Sequence, residues 1–180
     1  TYICFDVNHI YGIGLPESIQ SLKNVDILVN NAGLLLNNGF EETKSTDAHR
    51  IFETNFFAPA EWIRQLMPKL RASEKSHVVN IGSMGGFQGS SKFPGLSFYS
   101  ASKAALASLT ECLAEEFKNT TVRFNTLALG AVQTEMLQKA FPDYQAPTSA
   151  SEMAGFIADF ALNGHKWFNG KVLPVAITTP

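Results

Sequence analysis

The sequence has no excess of basic residues, which argues against nucleic acid as a principal partner. Its 14 lysines and arginines stand against 16 aspartates and glutamates, giving a net charge of -2 and a pI near 6.1. It also contains no apolar run approaching the roughly 20 residues that span a bilayer, and no signal peptide is visible. We therefore expect no nucleic-acid partner and no membrane association, and we take the cytoplasm as the expected location.

Cysteine is scarce, and histidine lacks the spacing of a metal site. Cys4 and Cys112 lie in apolar stretches without Cys-x-x-Cys spacing, which predicts buried, reduced thiols. The histidines show no metal-ligand spacing either, so we expect no metal and predict surface or loop positions for them. They are His9, His49, His77 and His165.

The chain does contain an alternation of strand and helix patterns over 180 residues, of which 45% are hydrophobic. This length and composition predict one globular domain over residues 1–180. Apolar runs predict strands at residues 2–7, 26–30, 77–81, 122–129 and 171–177. Helices are predicted at residues 17–22, 47–70, 99–117 and 151–162. Strands that alternate with helices predict an α/β fold of three layers around a doubly wound parallel sheet.

The most informative local pattern is the pair Tyr99 and Lys103, four residues apart on a predicted helix. Positions i and i+4 share one helix face, so the phenol and the ammonium group can meet the same ligand. The ammonium charge favours the phenolate and lowers the tyrosine pKa, which lets the phenol exchange a proton near neutral pH. Such a group suits hydride transfer, because hydride arriving at a carbonyl carbon leaves an oxygen that needs a proton. Taken alone, the pair is also typical of a packed tyrosine beside a solvated lysine.

Three further motifs accompany this pair in order along the chain. The second predicted strand ends in Asn-Asn-Ala-Gly at residues 30–33, the third delivers Ser83, and the fourth is followed by Gly130 and Thr134. Together these motifs closely resemble the short-chain dehydrogenase/reductase (SDR) family, in its compact single-domain type. The resemblance covers nearly the whole chain. It implies a Rossmann-like sheet and an NAD(P)-dependent oxidoreductase that interconverts an alcohol and a carbonyl by hydride transfer.

The resemblance implies a set of catalytic residues. Tyr99 would be the general acid/base, and Lys103 would lower its pKa and hydrogen-bond the nicotinamide ribose. Ser83 would donate a hydrogen bond to the substrate oxygen. Asn55 matches a position whose main-chain oxygen holds a water near the lysine and completes a proton relay; without the resemblance it is a tolerated polar residue in a helix. Asn30 is expected to brace adjacent strands through its amide.

The resemblance also implies a site for NAD or NADP across the C-terminal ends of the strands. Besides Tyr99 and Lys103, the matching positions lie at the adenine end, at the strand end facing the adenosine half, and in the nicotinamide turn. They are Asp6 and Val7, then Asn31, Ala32 and Gly33, then Gly130, Val132 and Thr134. The choice between the two dinucleotides depends on a strand and a glycine-rich turn that have no match in this sequence.

The opening segment of the family has no counterpart in the sequence. The family begins with a strand, a Thr-Gly-x-x-x-Gly-x-Gly turn, a helix and a second strand, and residues 2–7 match its third strand. Gly12 and Gly14 are followed by Leu15-Pro16 where a third glycine should open a helix, so we interpret both as loop residues. We expect an N-terminally truncated domain with an unpaired, aggregation-prone edge at residues 27–29 and weak dinucleotide binding.

Partners are indicated by the same patterns. The helix predicted at residues 99–117 is apolar on more than one face, as in helices that pack against a second subunit, and the resemblance implies a homo-dimer or homo-tetramer. A small-molecule alcohol or carbonyl is the expected substrate. Several loop residues would flank the nicotinamide and either line an apolar substrate pocket or pack on their own scaffold. These are Phe87, Phe93, Met136, Phe141 and Tyr144.

Other functions stay open at this point. One is a nucleotide-sensing or scaffold protein, or an inactive fragment of an enzyme, that kept the fold and lost turnover; the joint presence of Ser83, Tyr99, Lys103 and Asn55 argues against it. Another is a sugar-nucleotide epimerase of the extended branch of the family, which shares Tyr-x-x-x-Lys. That branch lacks Asn-Asn-Ala-Gly at this strand and carries a larger C-terminal domain, so the oxidoreductase is favoured.

Overall fold

The computed structural model describes residues 2–177 and centres on a four-stranded parallel sheet. Within these residues β1 is an edge strand, paired with β2 alone. The sheet runs in the spatial order β1 (Ile27–Asn30), β2 (Ser76–Ser83), β3 (Val122–Leu129) and β6 (Lys171–Val175). Two short strands that were not predicted, β4 (Val132–Gln133) and β5 (Thr148–Ser149), form a separate parallel pair.

Helices connect the strands and lie on both faces of the sheet. The α-helical segments are α1 (Ile10–Ile13), α2 (Glu17–Gln20), α3 (Ser45–Phe52), α4 (Ala58–Arg71), α5 (Ser97–Glu116), α6 (Glu135–Ala140) and α7 (Ala150–Asn163). A π-helical turn, Glu53–Phe57, joins α3 to α4. Single 3₁₀ turns lie at Val7–His9, Met84–Gly86 and Gly164–Lys166.

The two faces of the central strands bury separate apolar clusters. On one face, Val78 of β2 belongs to a cluster with Ile63 of α4 and Ala114 of α5. On the other face, the next residue, Val79, belongs to a cluster with Phe160 of α7. Alternate side chains of a strand point to opposite faces, so a strand covered on both sides must be apolar throughout. The predicted α/β fold with a parallel, Rossmann-like sheet is confirmed.

One predicted strand is wrong. Residues 2–6 are irregular, and Val7 begins a 3₁₀ turn that the Asp6 carboxylate caps. A strand needs a neighbour for its backbone groups, whereas this segment packs across α4. There Trp62 Nε1 donates to the Val7 carbonyl at 3.2 Å, and the rings of Phe5 and Trp62 lie 5.7 Å apart edge to face.

The helix predicted for residues 47–70 is observed as α3 and α4 with the π-helical turn between them. Asn55 lies in that turn and is fully buried. Such single π turns are uncommon within helices and frequently occur at functional sites. Asn55, which is unfavourable in a regular α-helix, therefore lies in the one turn between α3 and α4 that is not α-helical.

Two predictions about single residue types are also wrong. Cys4 and Cys112 are free but exposed, because Cys4 lies in the irregular opening segment and Cys112 on the outer side of α5. His77 was predicted at the surface or in a loop, yet it is a residue of β2 and only 1% exposed. Apolar neighbours in sequence did not determine burial; the position on the element did.

Candidate active site

Tyr99 and Lys103 lie near the start of α5, and both share its inner face. Lys103 is only 4% exposed, and its Nζ donates to the Ile81 carbonyl of β2 at 2.8 Å. The same Nζ lies 6.0 Å from the centroid of the Tyr99 ring. An ammonium group carries three N–H donors, so the bond to Ile81 leaves two for other acceptors.

Burial sets the protonation of both groups. It lowers the pKa of Lys103 to about 8, and it raises the pKa of Tyr99, an effect that the neighbouring Ser83 hydroxyl partly opposes. The pKa of Tyr99 is therefore raised overall in this structure, and the net lowering that was predicted is not observed. The Lys103 ammonium points to the Ile81 carbonyl, and burial of the phenol dominates.

Ser83 is placed beside Tyr99 by a tight turn at the end of β2. Its hydroxyl accepts a hydrogen bond from the Gly85 N–H at 3.1 Å and caps the 3₁₀ turn there. The turn packs directly on α5, since a Cβ built at Gly86 would lie 2.7 Å from the Ala104 nitrogen. Only glycine allows so close an approach of two backbones, and this approach holds Ser83 level with the start of α5.

Asn55 ties the segment after β1 to α5. Its side chain accepts a hydrogen bond from the Leu34 N–H at 2.7 Å, and donates to the Leu34 carbonyl at 2.9 Å and to Ser102 Oγ at 3.0 Å. Ser102 Oγ donates in turn to the Tyr99 carbonyl at 2.7 Å. The amide of Asn55 is thus fully engaged in structure, and its part in a proton relay through the main-chain oxygen stays a prediction.

The backbone at Gly33 lies close to Lys103. A Cβ built at Gly33 would lie 3.4 Å from Asn55 Oδ1, 3.6 Å from Lys103 Nζ and 3.7 Å from Met136 Cε. Met136 belongs to α6, so the segment after β3 reaches over the end of β1 at this point. A side chain at position 33 would therefore contact Lys103, Met136 and Asn55 at once.

A cavity of about 210 Å³ lies beside β1 and brings Val7, Asn31 and Ala32 together with Trp62. These are three of the positions predicted to face the adenine and adenosine end. The other two residues predicted for that end, Asp6 and Gly33, do not line this cavity. Asp6 is exposed and caps the 3₁₀ turn through its carboxylate.

The turn after β3 borders a second cavity, of about 470 Å³, which Gly130 lines together with Tyr144. The Gly130 N–H donates to the Val175 carbonyl at 2.9 Å and so fastens the turn to β6. Gly130 and Val7 therefore line different cavities. Of the five loop residues predicted to flank the nicotinamide, only Tyr144 lines one of these two cavities; Phe87, Phe93, Met136 and Phe141 line neither.

Val132 and Thr134 lead from this turn into α6. Val132 pairs with Thr148 in the short sheet, and the Thr134 hydroxyl accepts the Leu137 N–H at 3.2 Å as the N-cap of α6. Capping uses the oxygen of Thr134 and leaves its hydroxyl proton for another acceptor. Through Met136 this segment connects the turn after β3 to the backbone at Gly33.

Sequence reasoning missed a group of buried polar residues behind the site. They are Asn80, Ser102, Thr110 and Thr126. The sequence does contain an indication of them, because each is a polar residue at a position where strand or helix periodicity predicts burial. Buried polar groups require hydrogen-bond partners. Without the fold, however, the partners could not be named.

The three side chains predicted to act on a substrate, Ser83, Tyr99 and Lys103, lie close together, but none of them lines either cavity. Over residues 2–177, no three histidine, cysteine, aspartate or glutamate side chains are grouped so as to hold a metal ion. In the same part of the chain, no helix has both the length and the apolar character needed to cross a bilayer.

Comparison with known proteins places this chain in a family. The chain matches the short chain dehydrogenase family over residues 14–145. The dehydrogenase/reductase SDR family member 7B of Bos taurus is 31% identical over 120 residues, which cover 67% of this chain and 36% of that protein. The 3-oxoacyl-(acyl-carrier-protein) reductase FabG of Vibrio cholerae is 29% identical over 152 residues, which cover 80% of this chain and 61% of that protein. The chain thus spans only part of the length of these relatives.

A solved structure agrees with the fold. The 3-ketoacyl-(acyl-carrier-protein) reductase from Brucella melitensis, complexed with NADH, superposes with a TM-score of 0.82 and covers 95% of this chain and 74% of that one at 22% identity. The matched range contains all the motifs from which the resemblance was inferred, namely Asn-Asn-Ala-Gly at residues 30–33, Ser83, Tyr99, Lys103, Gly130 and Thr134. The chain belongs to the short-chain dehydrogenase family.

Proposed function

We propose that the protein is an NAD(P)-dependent oxidoreductase that interconverts an alcohol and a carbonyl of a small molecule by hydride transfer. The observation that carries the proposal is the placement of Lys103 on the face of α5 that Tyr99 shares, buried and with donors to spare, beside Ser83. Membership of the short-chain dehydrogenase family supports the reaction class.

The residues of the chain fit a dinucleotide, either NAD or NADP. The Lys103 ammonium lies beside the backbone of Gly33, 3.6 Å from where a Cβ would be, and it is suited to donate hydrogen bonds to ribose hydroxyls. Val7, Asn31 and Ala32 line a cavity whose mainly apolar walls suit a flat heteroaromatic base. The related Brucella enzyme is complexed with NADH. When bound, the reduced nicotinamide supplies the hydride.

Reduction of a carbonyl also needs one proton at the carbonyl oxygen, and Tyr99 is placed to give it. Burial raises the pKa of the phenol, so the phenol is protonated at neutral pH and suited to act as general acid. The Ser83 hydroxyl orients the substrate oxygen by donating a hydrogen bond. Lys103, with a pKa of about 8, is mostly charged at neutral pH and stabilises the phenolate that proton transfer leaves on Tyr99.

The proposal is tested by following NADH and NADPH oxidation by the purified protein with a panel of aldehydes, ketones and 3-oxoacyl thioesters. The thioesters are included because the relative from Vibrio cholerae is a 3-oxoacyl reductase. The Tyr99→Phe variant should lose turnover and keep dinucleotide binding, and Cys112→Ser, an exposed position on the same helix, is the matched control. Equal turnover by Tyr99→Phe would reject Tyr99 as the acid, and dinucleotide binding without any turnover would favour the nucleotide-sensing alternative.

We also propose that the protein self-associates through the outer face of α5. Ala101, Ala104 and Ser108 are exposed on that face, where small side chains let a second helix approach closely. Phe57, which precedes α4, is 47% exposed. Analytical ultracentrifugation should show a dimer or tetramer that Ser108→Arg dissociates. A monomer at all concentrations would contradict this proposal and leave the catalytic one intact.

A further inference from the structure

A row of polar side chains crosses the sheet beneath α5. Asn30 of β1, Asn80 of β2 and Thr126 of β3 are register partners across three adjacent strands. Thr110 of α5 completes the group, and Asn80, Thr110 and Thr126 are all 0% exposed. The rest of this face is packed with apolar side chains, where an unpaired polar group is costly.

The hydrogen bonds of this row converge on the Thr110 hydroxyl. Asn30 Nδ2 donates to Asn80 Oδ1 at 2.8 Å, and Asn80 Nδ2 donates to Thr110 Oγ1 at 2.8 Å. Thr110 Oγ1 lies 2.7 Å from Thr126 Oγ1 and donates to the Leu106 carbonyl at 2.9 Å. A hydroxyl offers one proton and two lone pairs. Since its proton goes to Leu106, Thr110 accepts from both Asn80 and Thr126 and is saturated.

Two adjacent residues of β2, Asn80 and Ile81, bind α5 at two points along the helix axis. Asn80 binds Thr110, and the carbonyl of the next residue, Ile81, binds Lys103 Nζ. Thr110 follows Lys103 by seven residues, about two helical turns, so both side chains leave the helix on one face. Two anchors on one face, spaced along the axis, fix both the rotation of a helix about its axis and its translation along the strand.

We propose that Thr110 is a positioning residue for Lys103 and Tyr99, acting through the hydrogen-bonded chain that joins α5 to Asn80 and Asn30. It touches neither substrate nor cofactor and acts by holding the helix in register with β2. This inference rests on the proposed function, because Lys103 and Tyr99 are the groups that act in that function. It also links the catalytic helix to β1, the strand that ends at the proposed dinucleotide site.

The test compares two substitutions that separate shape from hydrogen bonding. Thr110→Val keeps the branched shape and leaves the Asn80 amide and the Thr126 hydroxyl without their partner, whereas Thr110→Ser keeps the hydroxyl. Leu173→Ala is the control for lost stability, because Leu173 packs in the cluster on the opposite face of the sheet. If Thr110→Val does not fold, Thr126→Val replaces it, since it removes only the β3 end of the chain.

The decisive readout is the pKa of the Lys103 ammonium group, followed by NMR of protein labelled at the lysine Cε. Loosening α5 admits water to Lys103 and relieves the burial that lowers its pKa. We expect Thr110→Val to move this pKa upward by about half a unit or more. Thr110→Ser should restore the wild-type value, and Leu173→Ala should leave it unchanged.

Turnover supplies the second readout. In Thr110→Val we expect kcat, corrected for the folded fraction, to fall about tenfold with little change in KM, because positioning affects the reacting geometry more than binding. An unchanged Lys103 pKa in Thr110→Val, or an equal shift in Leu173→Ala, would overturn the inference. Absence of turnover in the wild type would reject the proposed function instead, and the NMR measurement would still decide the role of Thr110.

Discussion

Buried polar groups lie at both the C-terminal and the N-terminal ends of β2 and β3. The two ends differ in how many of the hydrogen-bonding atoms of these groups have partners. At the C-terminal ends, the Lys103 ammonium rests on Ile81 with one of its three donors used by that carbonyl. At the N-terminal ends, His77 of β2 is bonded on both ring nitrogens. Its Nδ1 lies 3.0 Å from the Ala161 carbonyl, and its Nε2 lies 3.0 Å from Asn125 Nδ2.

The bonding at the N-terminal ends fixes His77 as a neutral side chain. A carbonyl can only accept, so Nδ1 carries the proton, and Nε2 accepts from Asn125. Asn125 is saturated in its turn, because its amide also donates to the Phe168 carbonyl and accepts the Lys171 N–H. Burial, with a smaller contribution from the charge of His165, lowers the pKa of His77 to about 4.

Burial of a titratable group therefore does not by itself mark a site. Both Lys103 and His77 have strongly lowered pKa values, as active-site residues often do. Lys103 differs in that Ile81 is the one acceptor its Nζ binds among residues 2–177, which leaves two of its three donors for a ligand. His77 is a structural residue whose bonds are complete. The comparison predicts that function and stability separate cleanly between the two ends, and the following experiments test that separation.

The largest expected effect is at Tyr99. Removing the phenolic hydroxyl in Tyr99→Phe should lower kcat/KM by about 10²- to 10⁴-fold, the usual contribution of a general acid. The free energy of unfolding should change little, because the ring remains. Steady-state kinetics and urea unfolding of the same preparation measure both quantities. A variant that loses stability and activity in proportion would contradict the assignment.

The second-largest effect is the pH dependence of the free energy of unfolding, which we assign to His77 at the N-terminal end of β2. His77 has a folded-state pKa of about 4, below its unfolded value, so the unfolded state binds the extra proton between these values. Stability is therefore full above the unfolded pKa and falls as pH drops towards the folded one. From about pH 7 to about pH 5 the loss is on the order of 2 kcal/mol.

Urea unfolding at the two pH values checks this expectation. His77→Gln removes the titration, so this part of the pH dependence should disappear from the variant. Turnover per folded molecule should stay at the wild-type level, since His77 lies at the opposite end of the strands from Tyr99. The same pH dependence in both proteins would show that His77 is not the group responsible.

The smallest effect is on dinucleotide affinity. With a pKa of about 8 for Lys103, the charged fraction falls about tenfold between about pH 7 and about pH 9. If the ammonium form is the one that donates to the ribose, affinity for NADPH should fall about tenfold over this range. Fluorescence titration measures it, and Lys103→Met should bind weakly at both pH values. A pH-independent affinity in the wild type would exclude the Lys103 ammonium as a determinant.

Much of the fold was predictable because its strands are covered on both faces. Continuous apolar runs located β1, β2, β3 and β6, and the sequence placed Tyr99 and Lys103 together by helix spacing. The predicted strand at residues 2–7 failed because pairing is a non-local property. An apolar segment can equally pack on a helix, as Phe5 does against Trp62.

Parts of the site were not predictable for a related reason. The direction of the Tyr99 pKa shift depends on how deeply the fold buries the phenol and on where the Lys103 ammonium points, neither of which spacing fixes. The partners of Asn55 come from two distant segments, at Leu34 and Ser102. The brace predicted for Asn30 is present as its hydrogen bond to Asn80. The next hydrogen bond, from Asn80 to Thr110, could not be predicted because it depends on how α5 is positioned along β2.

The most direct test of the separation between the two ends is an NMR titration of isotopically labelled protein with NADPH, which detects weak as well as tight binding. We predict saturable shifts of the backbone amides of Gly33, Lys103 and Thr134, at the C-terminal ends of the strands, and none at His77 or Asn125. Saturable shifts centred on His77 and Asn125, or no saturable shifts at any residue up to millimolar dinucleotide, would contradict the account.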